Sequence, residues 1–394
     1  MTTDENAAAP AGPAGPFRHL QARWRSALAA AFGLSAQTFR PAAPAAPLDG
    51  TDAGLWAYLD ALPADAPGHA GRPLFSAEFE ALTSRLELGR ALLEDAIGAE
   101  TYAAWSVYLE AQQPQPAPDQ LAGLFRQWAS IYAPSAVAPG LSAMSEAALL
   151  ARDAAGGGGG ADFVGGYEAL AQTLAVASSC SFSFSFEAER TPAGRPDAAP
   201  YPAAPAAVPA PPPAPGPPPA EPDGLWLGNS DSRRLGRLFA SGGVEVKASF
   251  GACLVWVSTP GSWYSSSLMN VAYGSRESPP WQPAPGPGWE HFFGPAGSLR
   301  SLVASVAVAD SAQITVTSGA AFGEADRQLI LAGAGLGLWP LYAGPDGGAV
   351  TTQVSFDESG SMTAEVASVR GRPLVVGANL LAVAVYLGRS RRPA

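Results

Sequence analysis

An acidic N-terminal helical region followed by a mostly antiparallel, β-sandwich-like domain, with a long proline-rich insertion, is the α+β architecture that three features of the chain predict. Up to about residue 177 apolar residues recur at three- and four-residue spacing, the period of a helix with one buried face. At Ser179–Phe186 the period drops to two: Phe182, Phe184 and Phe186 alternate with serines, as on a half-buried strand. Between residues 191 and 223 fourteen of 33 residues are proline and most others are Ala, Gly or polar, a composition that cannot bury a core.

Composition sets the outer limits. The chain has 394 residues, 47% of them apolar, enough for a sizeable core and too apolar for wholesale disorder. Charged residues make up 14%, against about 25% in an average globular protein. A long coiled coil is therefore excluded. The net charge is −11 and Lys247 is the single lysine, so a nucleic-acid partner, which needs clustered cations, is not expected. Charge is divided along the chain: residues 1–190 carry −10, residues 191–223 carry −2 and residues 224–394 carry +1. The acidic surface belongs to the helical part.

In the N-terminal part, residues 1–15 are expected to be disordered and to lack a signal peptide, because Asp4 and Glu5 stand where Lys or Arg would be and no apolar stretch follows. Phe17, Leu20, Trp24 and Leu28 mark the first helix, with Gly33 as its stop. Thr51 and Asp52 cap a short helix carrying Leu55, Tyr58 and Leu59, closed by Pro63. A long helix follows Ser76 through Phe79, Leu82, Leu86, Leu93 and Ile97 to Gly98. Thr101 opens another through Trp105 and Leu109. Asp119 caps a fourth whose Leu121, Leu124, Phe125, Trp128 and Tyr132 form one stripe, read as bundle core. Gly156–Gly160 reads as a linker, and a last helix spans Tyr167–Ala177.

The β domain is expected to take its first strand from 178–190, to be interrupted at 191–223, and to resume over 224–388 before a basic tail at 389–394. The insertion is placed inside the domain because a lone strand needs partners for its backbone. A P-x-x-P ligand is the competing reading, weakened by Arg195 being the only basic residue there. After Gly224 the chain reads as strands and turns: Val244–Phe250 alternates, and Leu254–Val257 is apolar on both faces, either as a strand pair or as one strand bulged near Gly251. Further strands are read at Leu302–Val308, Ile314–Ser318, Gln328–Leu338, Ala349–Phe356, Met362–Val369 and Val383–Leu387, with a hairpin turn at Asp357–Gly360. A short helix fits Ser265–Tyr273.

Chemistry-bearing motifs are few. Cys180 and Cys253 lack a second pair or zinc-type spacing, and two buried thiols are favoured over a disulfide. No metal or other cofactor is expected. The longest apolar runs, Leu329–Ala343 and Leu374–Leu387, fall short of the roughly eighteen residues of a membrane helix, and a cytoplasmic location follows, with signal-less export open. Gly333, Gly335 and Gly337 lack the third-glycine spacing of a nucleotide loop and are read as the glycine face of a strand.

Two functions compete with a structural or binding role. A glycine-rich apolar strand could insert into bilayers, which makes a membrane-perturbing effector the first alternative. His291, beside Glu290, is the best base for a hydrolase, the second alternative, although no G-x-S-x-G elbow occurs and no catalytic residue is assigned. The favoured reading is a non-enzymatic structural or binding protein whose aromatic loop, with Trp263, Tyr264, Trp281, Trp289, His291 and Phe292, contacts a protein or a neutral small ligand. The hydroxyls and lack of charge in Ser258–Ser267 suit a neutral ligand. A packed satellite core under the loop is the competing account of the same rings.

Overall fold

The Ser/Phe alternation folds as the edge of a seven-stranded antiparallel sheet. The computed structural model describes residues 15–62, 74–86, 88–114, 116–117, 120–155, 162–188, 224–227, 230–276, 281–282, 286–335, 337–342 and 350–389. The expected disorder at 1–15, apart from Gly15, the closing Pro63, the Asp119 cap, the 156–160 linker, the proline-rich 191–223 segment and most of the basic tail lie outside these residues.

In chain order the helices are α1 (Pro16–Ala31), α2 (Asp52–Leu59), α3 (Phe75–Ser84), α4 (Leu88–Ile97), α5 (Ala99–Glu110), α6 (Leu121–Tyr132), α7 (Val137–Ala155), α8 (Tyr167–Ala175), α9 (Ser230–Ser241), α10 (Ser266–Gly274), α11 (Trp289–Phe293), α12 (Glu324–Ala334) and α13 (Val383–Tyr386). The strands are β1 (Phe39–Pro47), β2 (Phe163–Val164), β3 (Cys180–Phe186), β4 (Val244–Val257), β5 (Thr259–Pro260), β6 (Ser301–Ser318), β7 (Val350–Phe356), β8 (Met362–Ser368) and β9 (Leu374–Ala382). The expected class holds: helices first, then an antiparallel β domain. The N-terminal region also lends the sheet its edge strand β1, whose Pro41, Pro44 and Pro47 are tolerated because only β9 pairs with it.

Strand β6 organises the sheet. From Ser305 to Ser318 it pairs with β4, which in turn pairs with β3. On its other side its first half pairs with β9 and its second half with β8, followed by β7. The fork lies at Asp310 and Ser311. The Asp310 carboxylate accepts from the backbone N–H of Ser311 at 2.8 Å and of Gly371 at 3.0 Å, and Ser311 adopts a φ of 55°. These contacts absorb the irregularity without ending the strand. The two strands expected at Leu302–Val308 and Ile314–Ser318 are therefore one. Likewise β4 is a single strand whose register runs unshifted past Gly251, so the expected bulge is absent there.

The fork also explains why Leu254–Val257 is apolar on both sides. Beyond it, β3, β4, β6, β8 and β7 bury one face only. A cross-strand row reads Phe184, Val246, Val316, Ala364 and Val354 on the core side, and the next reads Ser183, Lys247, Thr315, Glu365 and Gln353 on the solvent side. In the other half of the sheet, Ala307 and Ala309 face the core under α1 and α9, while Val306 and Val308 face a second core with α2 and α8. Residues covered on both faces do not alternate.

The layer packed on the main core face is helical. Phe17, Leu20, Trp24 and Leu28 of α1, Leu235 and Phe239 of α9, and Ile330 of α12 join the sheet there. Thr51 caps α2 as expected, its Oγ1 accepting from the Gly54 N–H at 3.0 Å.

Several expectations are corrected. The long helix from Ser76 is two, α3 and α4, because Leu86 bridges to Trp281 and the Gln282 N–H donates to the Arg85 carbonyl at 2.9 Å, drawing residues 281 and 282 into the break. After Gly224 the chain is not only strands: α9 precedes β4, with an apolar face of Leu235, Phe239 and Ala240 at helical spacing. Val383–Tyr386 is a helical turn following β9, with Val383 buried. Gln328–Leu338 is not a strand. Its first part lies in α12, which opens with Glu324 and Asp326 in the first turn, where they complement the helix dipole. A short apolar run does not by itself distinguish the two states.

The glycine face disappears with that strand. A Cβ on Gly333 would lie 2.8 Å from Trp226 Cδ2, whereas one on Gly335 would meet nothing within 4 Å. Gly333→Ala should lower unfolding free energy in urea by about 1–3 kcal/mol through overpacking. Gly335→Ala should be neutral or slightly stabilising, since its φ of −64° suits any residue. Equal losses at both positions would contradict this packing.

Cys180 and Cys253 are joined in a disulfide, not held as free thiols, with their Cα atoms 6.1 Å apart. Sequence spacing carried no hint of the pairing; the adjacency of β3 and β4 creates it.

Candidate functional site

The described residues of 258–276, 281–282 and 286–293 hold all six side chains proposed from the sequence as a binding surface. The loop is built around α10, whose N-cap Ser265 accepts from the Leu268 N–H at 3.3 Å. Ser265 Oγ in turn donates to Glu146 Oε1 of α7 at 2.8 Å. That bond ties the loop to the helical region.

The rings form packed groups. Trp263 and Tyr264 meet Phe75 and Phe79 of α3, with centroid separations of 5.2 Å for Trp263–Phe75 and 5.0 Å for Tyr264–Phe79. Trp263 Nε1 donates to the Asp162 carbonyl at 2.8 Å. Trp281 is buried and stacks on fully buried Phe292 at 5.9 Å, its Nε1 donating to the Ser275 carbonyl. Trp289 is half-buried; its Nε1 donates to the Tyr273 carbonyl at 2.9 Å, and the Arg276 guanidinium lies 4.3 Å from its ring centroid. All six predicted residues thus lie in one region, but Trp281 and Phe292 serve as core and offer no surface to a ligand.

His291 is solvent-exposed, with Nε2 3.8 Å from Glu78 Oε2. The same carboxylate oxygen accepts from Ser298 Oγ at 2.6 Å. Here the carboxylate stands between serine and imidazole. A nucleophilic mechanism needs the imidazole between hydroxyl and carboxylate, so this trio cannot activate Ser298 as drawn. Among the described residues no group of three His, Cys, Asp or Glu side chains is placed to hold a metal ion.

Behind α3, Asp60 is almost fully buried and accepts from the Ser76 N–H at 2.7 Å and the Ser76 hydroxyl at 2.6 Å. It caps α3 from outside the helix. Burial pushes its pKa up, against the lowering effect of the two Ser76 bonds. The role is structural: it positions Phe75 and Phe79 beneath the loop.

The open part of the region is a groove of about 480 Å³ between the serine loop and α7, lined by Ser262, Tyr264, Ser265, Ser266, Ser267, Glu146 and Leu149. Among the described residues its lining carries one charge, the Glu146 carboxylate. Tyr264 has its hydroxyl buried with no hydrogen-bond partner among the described residues, and burial, followed by neighbouring Tyr386, drives its pKa upward. Of the lining, the sequence singled out Tyr264 and the serine run. Glu146 and Leu149 escaped notice because α7, with Pro139 and Gly140 in its first turn, shows no stop-start signals of an ordinary helix.

Among the described residues no helix is long and apolar enough to cross a membrane. Comparison of the chain with protein-family models, with curated proteins and with solved structures returns no match.

Proposed function

We propose that the protein is a non-enzymatic binding protein that takes a neutral, hydroxyl-rich ligand, of the class of a short carbohydrate, in the groove between the serine loop and α7. The observation that carries this reading is the lining itself. Four serines and one carboxylate supply donors and acceptors for hydroxyl groups, with Tyr264 and Leu149 available to the apolar face of a ring. Among the described residues no Arg or Lys lines the groove, which favours a neutral over an anionic ligand.

The membrane-perturbing alternative rested on a glycine-rich strand, whereas the first part of that segment, up to Ala334, lies in α12. The hydrolase alternative lacks a hydroxyl in reach of the His291 imidazole in the described hydrogen bonds. The Cys180–Cys253 bridge supports work in an oxidising compartment in preference to the cytoplasm, since thiols are kept reduced in the latter.

Calorimetric titration of the full chain against neutral, acidic and basic oligosaccharides tests the reading. A neutral member should bind, and Glu146→Gln should weaken it by about tenfold or more, the loss of one charge-assisted hydrogen bond. The melting temperature should hardly change. Binding confined to acidic oligosaccharides, or no binding by any of the panel, would overturn it.

A further inference from the structure

The strand edges of the main sheet are not protected alike. On β1 the edge carries three prolines and Arg40, devices that block further pairing. Helix α12 packs against β7, and α1 packs against the core face of β3 through Trp24 and Phe182. The other edge, β3, reads CSFSFSF: seven residues with no charge and no proline, paired among the described residues with β4 alone. Among the described residues no backbone hydrogen bond reaches its outer side.

β3 is also self-complementary. Running antiparallel to a copy of itself about Ser183, it sets Ser183 against Ser183, Phe182 against Phe184, and Ser181 against Ser185. Every serine then stays on the solvent face and every phenylalanine on the core face, so the sheet continues without a polar–apolar mismatch. Phe182 and Phe186 are only half-buried in the single chain, and the second strand would add cover to both. Lys247 and Glu245, the nearest charges on the solvent face, lie one strand further in and pair with each other at 3.0 Å. They place no like charge on the axis.

From these features we infer that a second copy of this chain docks on β3, giving a closed two-fold dimer in which the sheet runs on through paired β3 strands. This goes beyond the ligand groove, which lies elsewhere on the molecule and takes no part in the contact. Because the interface is isologous, pairing consumes both β3 edges and stops at two copies.

Sedimentation of the full chain over micromolar to submillimolar concentrations should show a monomer–dimer equilibrium. Ser183→Lys places two ammonium groups side by side on the axis, where directly opposed Cβ atoms are about 5 Å apart, and should raise the dimer dissociation constant by about tenfold or more. Since Ser183 is exposed, the variant should keep its circular dichroism spectrum, while its place opposite Lys247 across the β3–β4 pair should lower its melting temperature slightly. In a second variant, Ser183→Cys, mild oxidation should produce a disulfide-linked dimer. Ser249→Cys, on β4, should not crosslink. A wild-type monomer at every concentration, an open-ended polymer, or a dimer that tolerates Ser183→Lys and fails to crosslink through Ser183→Cys would each overturn the inference.

Discussion

Phe184→Ala should lower the unfolding free energy by about 3–5 kcal/mol, while Ser183→Ala, one residue away, should change it by less than about 0.5 kcal/mol. Phe184 is 8% exposed and sits in the core row with Val246 and Val316, opposite the solvent row that holds Ser183. Removing its ring leaves a cavity that Phe182, stacked on it with a centroid distance of 6.5 Å, cannot refill without leaving its contact with Trp24 of α1 at 5.3 Å. Urea titration below the concentrations at which chains associate is the measurement. Losses of similar size at the two positions would mean that the strand's faces are not segregated.

The second large effect belongs to the disulfide. Replacing Cys180 and Cys253 together by serine should destabilise the fold by about 4 kcal/mol, the loop-closure entropy for a crosslink spanning this length. The two residues are 73 positions apart, and the bridge ties the start of the edge strand β3 to β4. Amide exchange should therefore rise most in β3 and least in β8, which is held through β6 and β7. Unchanged melting on reduction, with free thiols titratable in the untreated protein, would show that the cysteines are not joined.

Much of the architecture was legible in the residues because it follows from local periodicity. The α1 stripe, the Thr51 cap, the β3 alternation and the hairpin around Asp357–Gly360 each depend on contacts within a few positions in sequence or on one buried face. Where both faces are covered the periodic signal disappears, and there the reading failed. Leu329 and the residues after it look equally apolar as strand or helix, and the acidic first turn of α12 settles the matter only once Gly323 is seen as its start. The site divides along the same line. Tyr264 and the serine run were visible as an unusual composition, whereas Glu146 is an ordinary glutamate until Ser265, 119 positions away, donates to it.

By itself the sequence determined the order of helices before strands, the sign and place of the charge, the half-buried face of β3 and the crowding of aromatic residues after Trp256. Each is a property of neighbours along the chain. Only the tertiary structure decided that β6 is one strand forked at Asp310, that Cys180 meets Cys253, that Trp281 and Phe292 are core, and that the serine loop and α7 enclose a groove. Those outcomes depend on which distant segments share a surface. The free energy that selects among such pairings comes from burying both partners at once, and no window of sequence contains both.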